Sequence, residues 1–206
     1  MRKVFVNPVK CIGCRQCEIA CATAHSASLE PTIAFLEVPT PRARIHVDPG
    51  PIPTLSYPTN CRHCNPAPCV QICPSGAMHR AGDDVVLMDA GRCIGCAMCA
   101  VVCPFDAITF HPLADSPGAE VAVAVKCDLC IQRLDVGLIP ACVEVCKVGA
   151  LTFGDVNEVV SQSRRAWAGE AFSEATEQLD PRVAWRAGGA AMAAVGQLAT
   201  QQSMAQ

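Results

Sequence analysis

The chain is 206 residues long and 51% apolar, yet only 4% aromatic and 17% charged, with a net charge of −3. That length allows one or two compact domains and excludes a multidomain enzyme with its own large cofactor fold. The charge balance gives no electrostatic reason to expect nucleic acid or anionic lipid as a partner.

In chain order, residues 4–6 are a first short apolar run of strand length. Cys11, Cys14, Cys17 and Cys21 follow at the spacing C-x2-C-x2-C-x3-C. A proline-rich stretch then carries Pro39, Pro41, Pro49, Pro51, Pro53 and Pro58. Within it residues 42–47 alternate as one strand, and 48–57 read as an ordered loop or extended crossover. The second group, Cys61, Cys64, Cys69 and Cys73, is spaced C-x2-C-x4-C-x3-C. Residues 85–88 predict a strand, and Cys93, Cys96, Cys99 and Cys103 then repeat the first spacing. Residues 107–110 predict a strand, 111–118 a polar turn and 121–125 a further strand. The fourth group is Cys127, Cys130, Cys142 and Cys146, its halves separated by an eleven-residue insertion, and 150–153 predict the last strand. Residues 156–168 and 170–179 have helical composition, Asp180-Pro181 breaks them, and 182–202 suit another helix. Trp167 and Trp185 both fall in this cysteine-free region, which reads as a cover for the core or as a docking arm.

The apolar run near Met1 is too short for a signal peptide, and no stretch reaches the ~18–20 apolar residues of a membrane span. The expected location is the cytoplasm, with any membrane association made through a partner complex; there thiols stay reduced and a disulfide framework is disfavoured.

The sixteen cysteines therefore need other chemistry. They are about 8% of the chain, near the level at which cysteine stops being an ordinary core residue. They divide into four fours with none left over. Spacings of two hold three thiolates around one face of an iron–sulfur cube, and in two-cluster ferredoxins the fourth cysteine of such a run ligates the other cluster. Paired C-x2-C units also make zinc sites, but these have no use for a third cysteine in each half. A structural zinc-binding module is the alternative of another class.

The flanking residues bear on how the groups pair. Pro74 and Pro104 follow the last cysteines of the second and third groups, whereas Ala22 and Lys147 follow those of the first and fourth. The proline-bearing pair also spans only residues 61–103, the size of a small ferredoxin. A nested arrangement follows: Cys61, Cys64, Cys69 and Cys103; Cys93, Cys96, Cys99 and Cys73; Cys11, Cys14, Cys17 and Cys146; and Cys127, Cys130, Cys142 and Cys21. Sequential pairing stays open but leaves the proline pattern without a purpose. A repeated half-unit of this kind buries its face only against its twin.

Clusters fully bound by thiolates leave no iron open to substrate, so they pass charge and do no other chemistry. No Gly-rich nucleotide fingerprint or nucleophile elbow competes, so no catalytic residue is assigned. Four clusters at −2 each would take the net charge from −3 to −11. Lys10, Arg92 and Lys126 precede a first cysteine, and Arg62 and Lys147 follow a ligand, where a cation favours the reduced cluster. His25, His46, His63, His79 and His111 are scattered; His63, inside the second group, suits a place behind the ligands.

The motifs CIGCRQCEIAC (11–21), CRHCNPAPCVQIC (61–73), CIGCAMCAVVC (93–103), CDLC (127–130) and PACVEVC (140–146) resemble those of four-cluster ferredoxin-type electron-transfer subunits. These accompany enzymes of the dimethyl sulfoxide reductase family, formate hydrogenlyase and carbon monoxide dehydrogenase. The resemblance covers residues 3–153, with Pro68 and Pro140 near the third cysteine of their groups especially similar. It implies the nested pairing and four 4Fe-4S clusters as cofactors. It also implies a non-catalytic subunit wiring a catalytic redox partner to an electron acceptor. The CIGCRQC opening is most similar to the carbon monoxide dehydrogenase-associated ferredoxin-like proteins, which implies that dehydrogenase and a hydrogenase as partners. A formate dehydrogenase, a formate hydrogenlyase or a molybdopterin reductase is the alternative. The expected fold is α+β. Two ferredoxin-like modules span residues 1–153, the inner about 60–110 and the outer from 1–35 and 119–153. A helical extension covers 154–206.

Overall fold

The computed structural model describes residues 1–52, 55–82, 85–112 and 122–177, with side chains described as far as residue 171. Residues 1–156 form one compact unit and 157–206 a second. The first is a small α+β fold of short strands and helices built around cysteine loops.

Strand β1 (Arg2–Val6) leads through a tight 3-10 turn (Pro8–Lys10) into the first cysteine loop and helix α1 (Gln16–Ala24). A one-turn helix α2 (Pro31–Ala34) follows. Strands β2 (Ile45–Pro49) and β3 (Ser56–Asn60) come next, then α3 (Pro68–Gln71), β4 (Met78–Ala81) and β5 (Val85–Met88). Helix α4 (Met98–Val101), β6 (Thr109–Pro112), β7 (Ala122–Val125), α5 (Ile131–Asp135), α6 (Ala141–Glu144) and β8 (Leu151–Asp155) complete the unit.

Among the described residues the strands pair as four antiparallel ribbons of two: β1 with β8, β2 with β3, β4 with β5 and β6 with β7. The first of these joins opposite ends of the unit, with Val4 opposite Phe153 and Val6 opposite Leu151. An ion pair from the Met1 amino group to Asp155 (2.8 Å) and a backbone bond from Asn7 N–H to the Ala150 carbonyl (2.8 Å) flank that ribbon.

Three expectations are corrected. Residues 48–57 are not wholly a loop or crossover: the strand expected at 42–47 runs at Ile45–Pro49 and turns back into β3, with Val47 opposite Pro58. Proline is tolerated because a two-stranded ribbon has a free edge on each strand, where no ladder hydrogen bond is lost. Ile45 and Val47 alternate inward while His46 and Asp48 stay nearer the surface. The strand expected at 107–110 starts at Thr109 and extends to Pro112, because Ala107 and Ile108 are spent on the core. His111 and Pro112 are thus strand, and the rest of the expected polar turn lies outside the described residues, as does Val121. Strand β4 was not anticipated, since only Met78 and Ala81 in it are apolar; it forms because Gly82, at φ +62°, lets the chain fold β4 onto β5.

Two apolar clusters make the core. One gathers Val4, Ile45, Val47, Val85, Leu129 and Leu151 around Cys17, Cys21 and Cys142. The other gathers Met78, Ile108 and Ala124 around Cys99, with Cys69, Cys73, Cys93 and Cys103 at its margin. Aromatic fillers are few, and the cysteines occupy their place.

In the second unit, the described part belongs to helix α7 (Val156–Glu177), which continues through Gly169. A glycine inside a helix costs about 1 kcal/mol relative to alanine, too little to break a 22-residue run. Trp167 is 76% exposed. Trp185, Asp180-Pro181 and the helix expected at 182–202 lie outside the described residues. No described helix is long and apolar enough to cross a membrane.

Candidate metal centres

The first and third cysteine groups share a local build. Asn7 and Asp89 each cap a 3-10 turn, accepting from Val9 N–H (3.1 Å) and Gly91 N–H (2.9 Å), and the next residue after each turn is the first cysteine. Gly13 and Gly95 then take φ of +68° and +69°, and Arg15 and Ala97 also adopt left-handed geometry before α1 and α4. Alternating backbone handedness of this kind curls successive N–H groups toward one point, a cradle for anionic sulfur. It leaves Cys14 and Cys96 exposed while Cys17 and Cys99, on the helices, are buried.

Backbone amides already aim at sulfur. The N–H groups of Arg44, His63, Met78, Ala124 and Leu129 donate to the Sγ atoms of Cys21 (3.2 Å), Cys61 (3.4 Å), Cys73 (3.4 Å), Cys93 (3.5 Å) and Cys127 (3.4 Å). Such bonds stabilise thiolate over thiol, and reduced cluster over oxidised.

Thiols from distant groups meet. Cys11, Cys14 and Cys17 line a cavity of about 150 Å³ together with Cys146. Cys93, Cys96 and Cys99 line a smaller one with Cys73. Burial pushes the Cys142 thiol up, and the charges of Cys127, Cys21 and Cys130 push it further. Burial also raises Cys64 and Cys69, with Cys61 and Cys103 adding to both.

Influence also passes between these sets: Cys17 acts on Cys142, Cys61 on Cys127, and Cys69 on Cys99. Desolvation lifts Cys17 to about 12 and both Cys99 and Cys130 to about 11. As free thiols these would stay protonated, so a metal must displace the protons, the ordinary coupling of metal binding to thiol ionisation.

The donor set discriminates between metals. A zinc ion at about 2.3 Å from each sulfur draws its thiolates to within about 3.8 Å of one another. Among the described residues, the one group of three potential ligand atoms within 4.8 Å of one another is His25, Asp128 and Cys130, with a single sulfur. Thiols spaced more widely around a cavity fit a cube of iron and sulfide better than a lone ion.

Around Cys21 and Cys130 lies a polar network that the sequence reading missed. Asp128 accepts from His25 Nε2 (3.0 Å), Arg44 Nη1 (2.5 Å) and the Cys130 N–H (2.9 Å). His25 Nδ1 lies 2.7 Å from the Cys21 carbonyl oxygen and 3.8 Å from its Sγ. Burial alone would lower the His25 value, but the bonds to Asp128 and Cys21 outweigh it and raise it to about 9. Burial likewise opposes ionisation of Asp128, yet His25 and Arg44 hold its carboxyl well below the usual range. The available clue was a carboxylate inside the C-D-L-C run. Its partners are 84 and 103 residues away, and nothing local names them.

The five cations flagged from sequence differ in fate. Lys126 is 3% exposed and donates to the carbonyls of Val86 and Cys127. Arg62 lies over the Phe105 ring, and Arg92 pairs with Asp89 at 3.4 Å. Lys10 is exposed, and Lys147 lines the cavity with Cys146. His63 is buried and accepts from the Val86 N–H, whereas His46, His79 and His111 are not fully buried.

Comparison with known proteins adds to this geometry. The family described as a 4Fe-4S dicluster domain matches residues 53–156. "Electron transport protein HydN" of Escherichia coli (strain K12) is 39% identical over 166 residues, 77% of this chain and 90% of the relative. "Iron-sulfur protein" of Rhodospirillum rubrum is 36% identical over 81% of this chain and 89% of its own length. "Thiosulfate reductase electron transfer subunit PhsB" of Salmonella typhi is 35% identical over 78% of each.

Proposed function

Because the chain belongs to the 4Fe-4S dicluster domain family, we propose that it is a non-catalytic electron-transfer subunit carrying four 4Fe-4S clusters in a row. The ligand sets are Cys11, Cys14, Cys17 and Cys146; then Cys21, Cys127, Cys130 and Cys142; then Cys61, Cys64, Cys69 and Cys103; then Cys73, Cys93, Cys96 and Cys99. The observation that carries this reading is the shared cavity, in which three thiols of the first group face one of the fourth across 129 residues of sequence. The β1–β8 ribbon supports the same nesting. The order along the row rests on the thiols that act across sets, Cys17 on Cys142, Cys61 on Cys127 and Cys69 on Cys99.

When bound, such clusters supply one-electron reduction and oxidation. The residues of the chain hold them and set their potentials with N–H donors and cations. At the two ends Cys14 and Cys96 reach the surface, each beside an exposed isoleucine, Ile12 at 68% and Ile94 at 61%. These are the points at which electrons enter and leave, with an apolar lip that a partner can cover.

The catalytic partner is a redox enzyme. Carbon monoxide dehydrogenase feeding a hydrogenase is one arrangement. A formate dehydrogenase or molybdopterin reductase is at least as consistent, given relatives named for thiosulfate and tetrathionate reductases. The site of action is the cytoplasm, with any membrane contact made through that partner.

Anaerobic purification tests the reading. Each quartet should bring four irons and four acid-labile sulfides, with visible absorption bleached by dithionite; a colourless, zinc-loaded protein overturns it. Cys99→Ala should lose one cluster and interrupt electron flow to the acceptor, while the partner's own half-reaction with an artificial dye survives. Loss of that dye reaction would instead count against the role of a wire. Proteins that co-purify without oxygen identify the partner.

A further inference from the structure

His63 sits between Cys61 and Cys64 at 1% exposure, with a backbone φ of +48°. Its Nδ1 lies 3.1 Å from the backbone nitrogen of Val86. That amide can only donate, so Nδ1 must offer its lone pair, and the proton of the neutral ring belongs on Nε2. Turning the ring over would strip Val86 of its acceptor and gain nothing. With Nδ1 accepting, the ring is neutral, and Lys126 and Lys3 lie nearby. Nε2–H is therefore a buried donor, and it has no acceptor among the described protein atoms. The two lysines cannot serve, because ammonium groups only donate. Buried donors are very rarely left unpaired.

The position narrows the choice of acceptor. The ring lies where the Cys61 loop meets Val86, and the buried Lys126 joins the Val86 carbonyl to that of Cys127. Cys127 and Cys61 are also the thiols through which the two inner sets act on one another. We infer that His63 Nε2–H donates a hydrogen bond to a sulfur of one of the two inner clusters, making His63 a positioning residue that favours the cluster's reduced state. The inference rests on the four-cluster reading above. A hydrogen bond to sulfur strengthens as the cluster gains negative charge, so it raises the reduction potential. Placed midway along the row, it keeps the inner clusters from becoming a barrier between the exposed ends.

The test uses the full chain, purified and reconstituted without oxygen. Protein labelled with ¹⁵N-histidine and reduced should show a weak ¹⁵N hyperfine coupling to a cluster. The same record from labelled His63→Phe should be subtracted, so that His25, 3.8 Å from Cys21 Sγ, does not contribute. Absence of that coupling overturns the inference and points to a buried water as the acceptor. In His63→Phe, redox titration followed by electron paramagnetic resonance should show one cluster harder to reduce by about fivefold, or ~40 mV at 59 mV per decade. His63→Gln, which keeps an N–H at similar reach, should recover most of it. Unchanged potentials in His63→Phe with full iron content also overturn it. Failure of the underlying reading looks different: wild-type protein that lacks cluster iron and sulfide altogether.

Discussion

Replacing Asp128 with asparagine removes a charge shared by three partners. One carboxylate oxygen is 2.5 Å from Arg44 Nη1, the other 3.0 Å from His25 Nε2 and 2.9 Å from the Cys130 N–H. The side chains of Asp128, His25 and Arg44 are 21%, 13% and 28% exposed, so solvent screens them only in part. An asparagine can still accept at one oxygen, but its NH₂ then faces either a guanidinium or an imidazolium. Hydrogen bonds to charged groups contribute about 1.5–3 kcal/mol each, and a broken, partly buried pair costs up to about 3–5 kcal/mol. A loss of about 2–4 kcal/mol is expected, which is about 30- to 700-fold in an equilibrium constant.

The damage should also be local. His25 bonds the Cys21 carbonyl, Arg44 N–H bonds the Cys21 sulfur, and Asp128 stands between Cys127 and Cys130. The network is thus the clasp between the first and fourth cysteine groups. Competition with an iron chelator without oxygen, followed by electron paramagnetic resonance of the reduced protein, measures the effect. Asp128→Asn should surrender the cluster at Cys21, Cys127, Cys130 and Cys142 first, at chelator concentrations at least about 30-fold lower. The cluster at Cys73, Cys93, Cys96 and Cys99 should hold as in wild type. Uniform loss of all clusters, or a shift smaller than threefold, would refute both the clasp and the nested pairing it serves.

Other expectations follow from the same geometry. Ile45→Ala, at a side chain 1% exposed against Cys17, Cys21 and Cys142, should cost about 2–5 kcal/mol in anaerobic denaturant unfolding; a cost under about 1 kcal/mol would mean that this core is loose. Ile12→Glu and Ile94→Glu should each leave iron content unchanged yet slow electron exchange at one end, one with the donor and the other with the acceptor. Two variants with identical defects would contradict a directional row. The Ser28 hydroxyl, then the amides of Ser28 (2.8 Å) and Ala27 (3.0 Å), donate to Glu37 and hold its carboxyl below its usual value of 4.5. A depressed carboxylate stabilises the fold above its unfolded pKa and loses that contribution as pH falls through the lower folded value. Protection of the two amides, measured against their intrinsic exchange rates, should therefore fall on acidification below about pH 4.5, and in Glu37→Gln it should lack that extra pH step.

Much of the loop and strand geometry was legible because its physics is local. C-I-G-C at 11–14 and again at 93–96 needs glycine at its third position, and Gly13 and Gly95 do take left-handed backbone there. Apolar runs at 4–6, 85–88 and 150–153 mark strands because side chains alternate across a ribbon whichever partner it finds. Strand β4 escaped because His79 and Arg80 carry no apolar pattern and the ribbon is held by backbone bonds to β5. The β2–β3 hairpin was hidden by prolines, which exclude a central strand but not an edge.

Composition and spacing alone determined that sixteen cysteines would be set out in four loops, because three or four residues of chain set where neighbouring thiols can point. Only the tertiary structure decided which distant thiols share a cavity, which nitrogen of His63 bears the proton, and that Asp128 would hold His25 and Arg44. Those outcomes depend on groups 23 to 135 residues apart in the chain. Their energies arise only once water has been expelled between them.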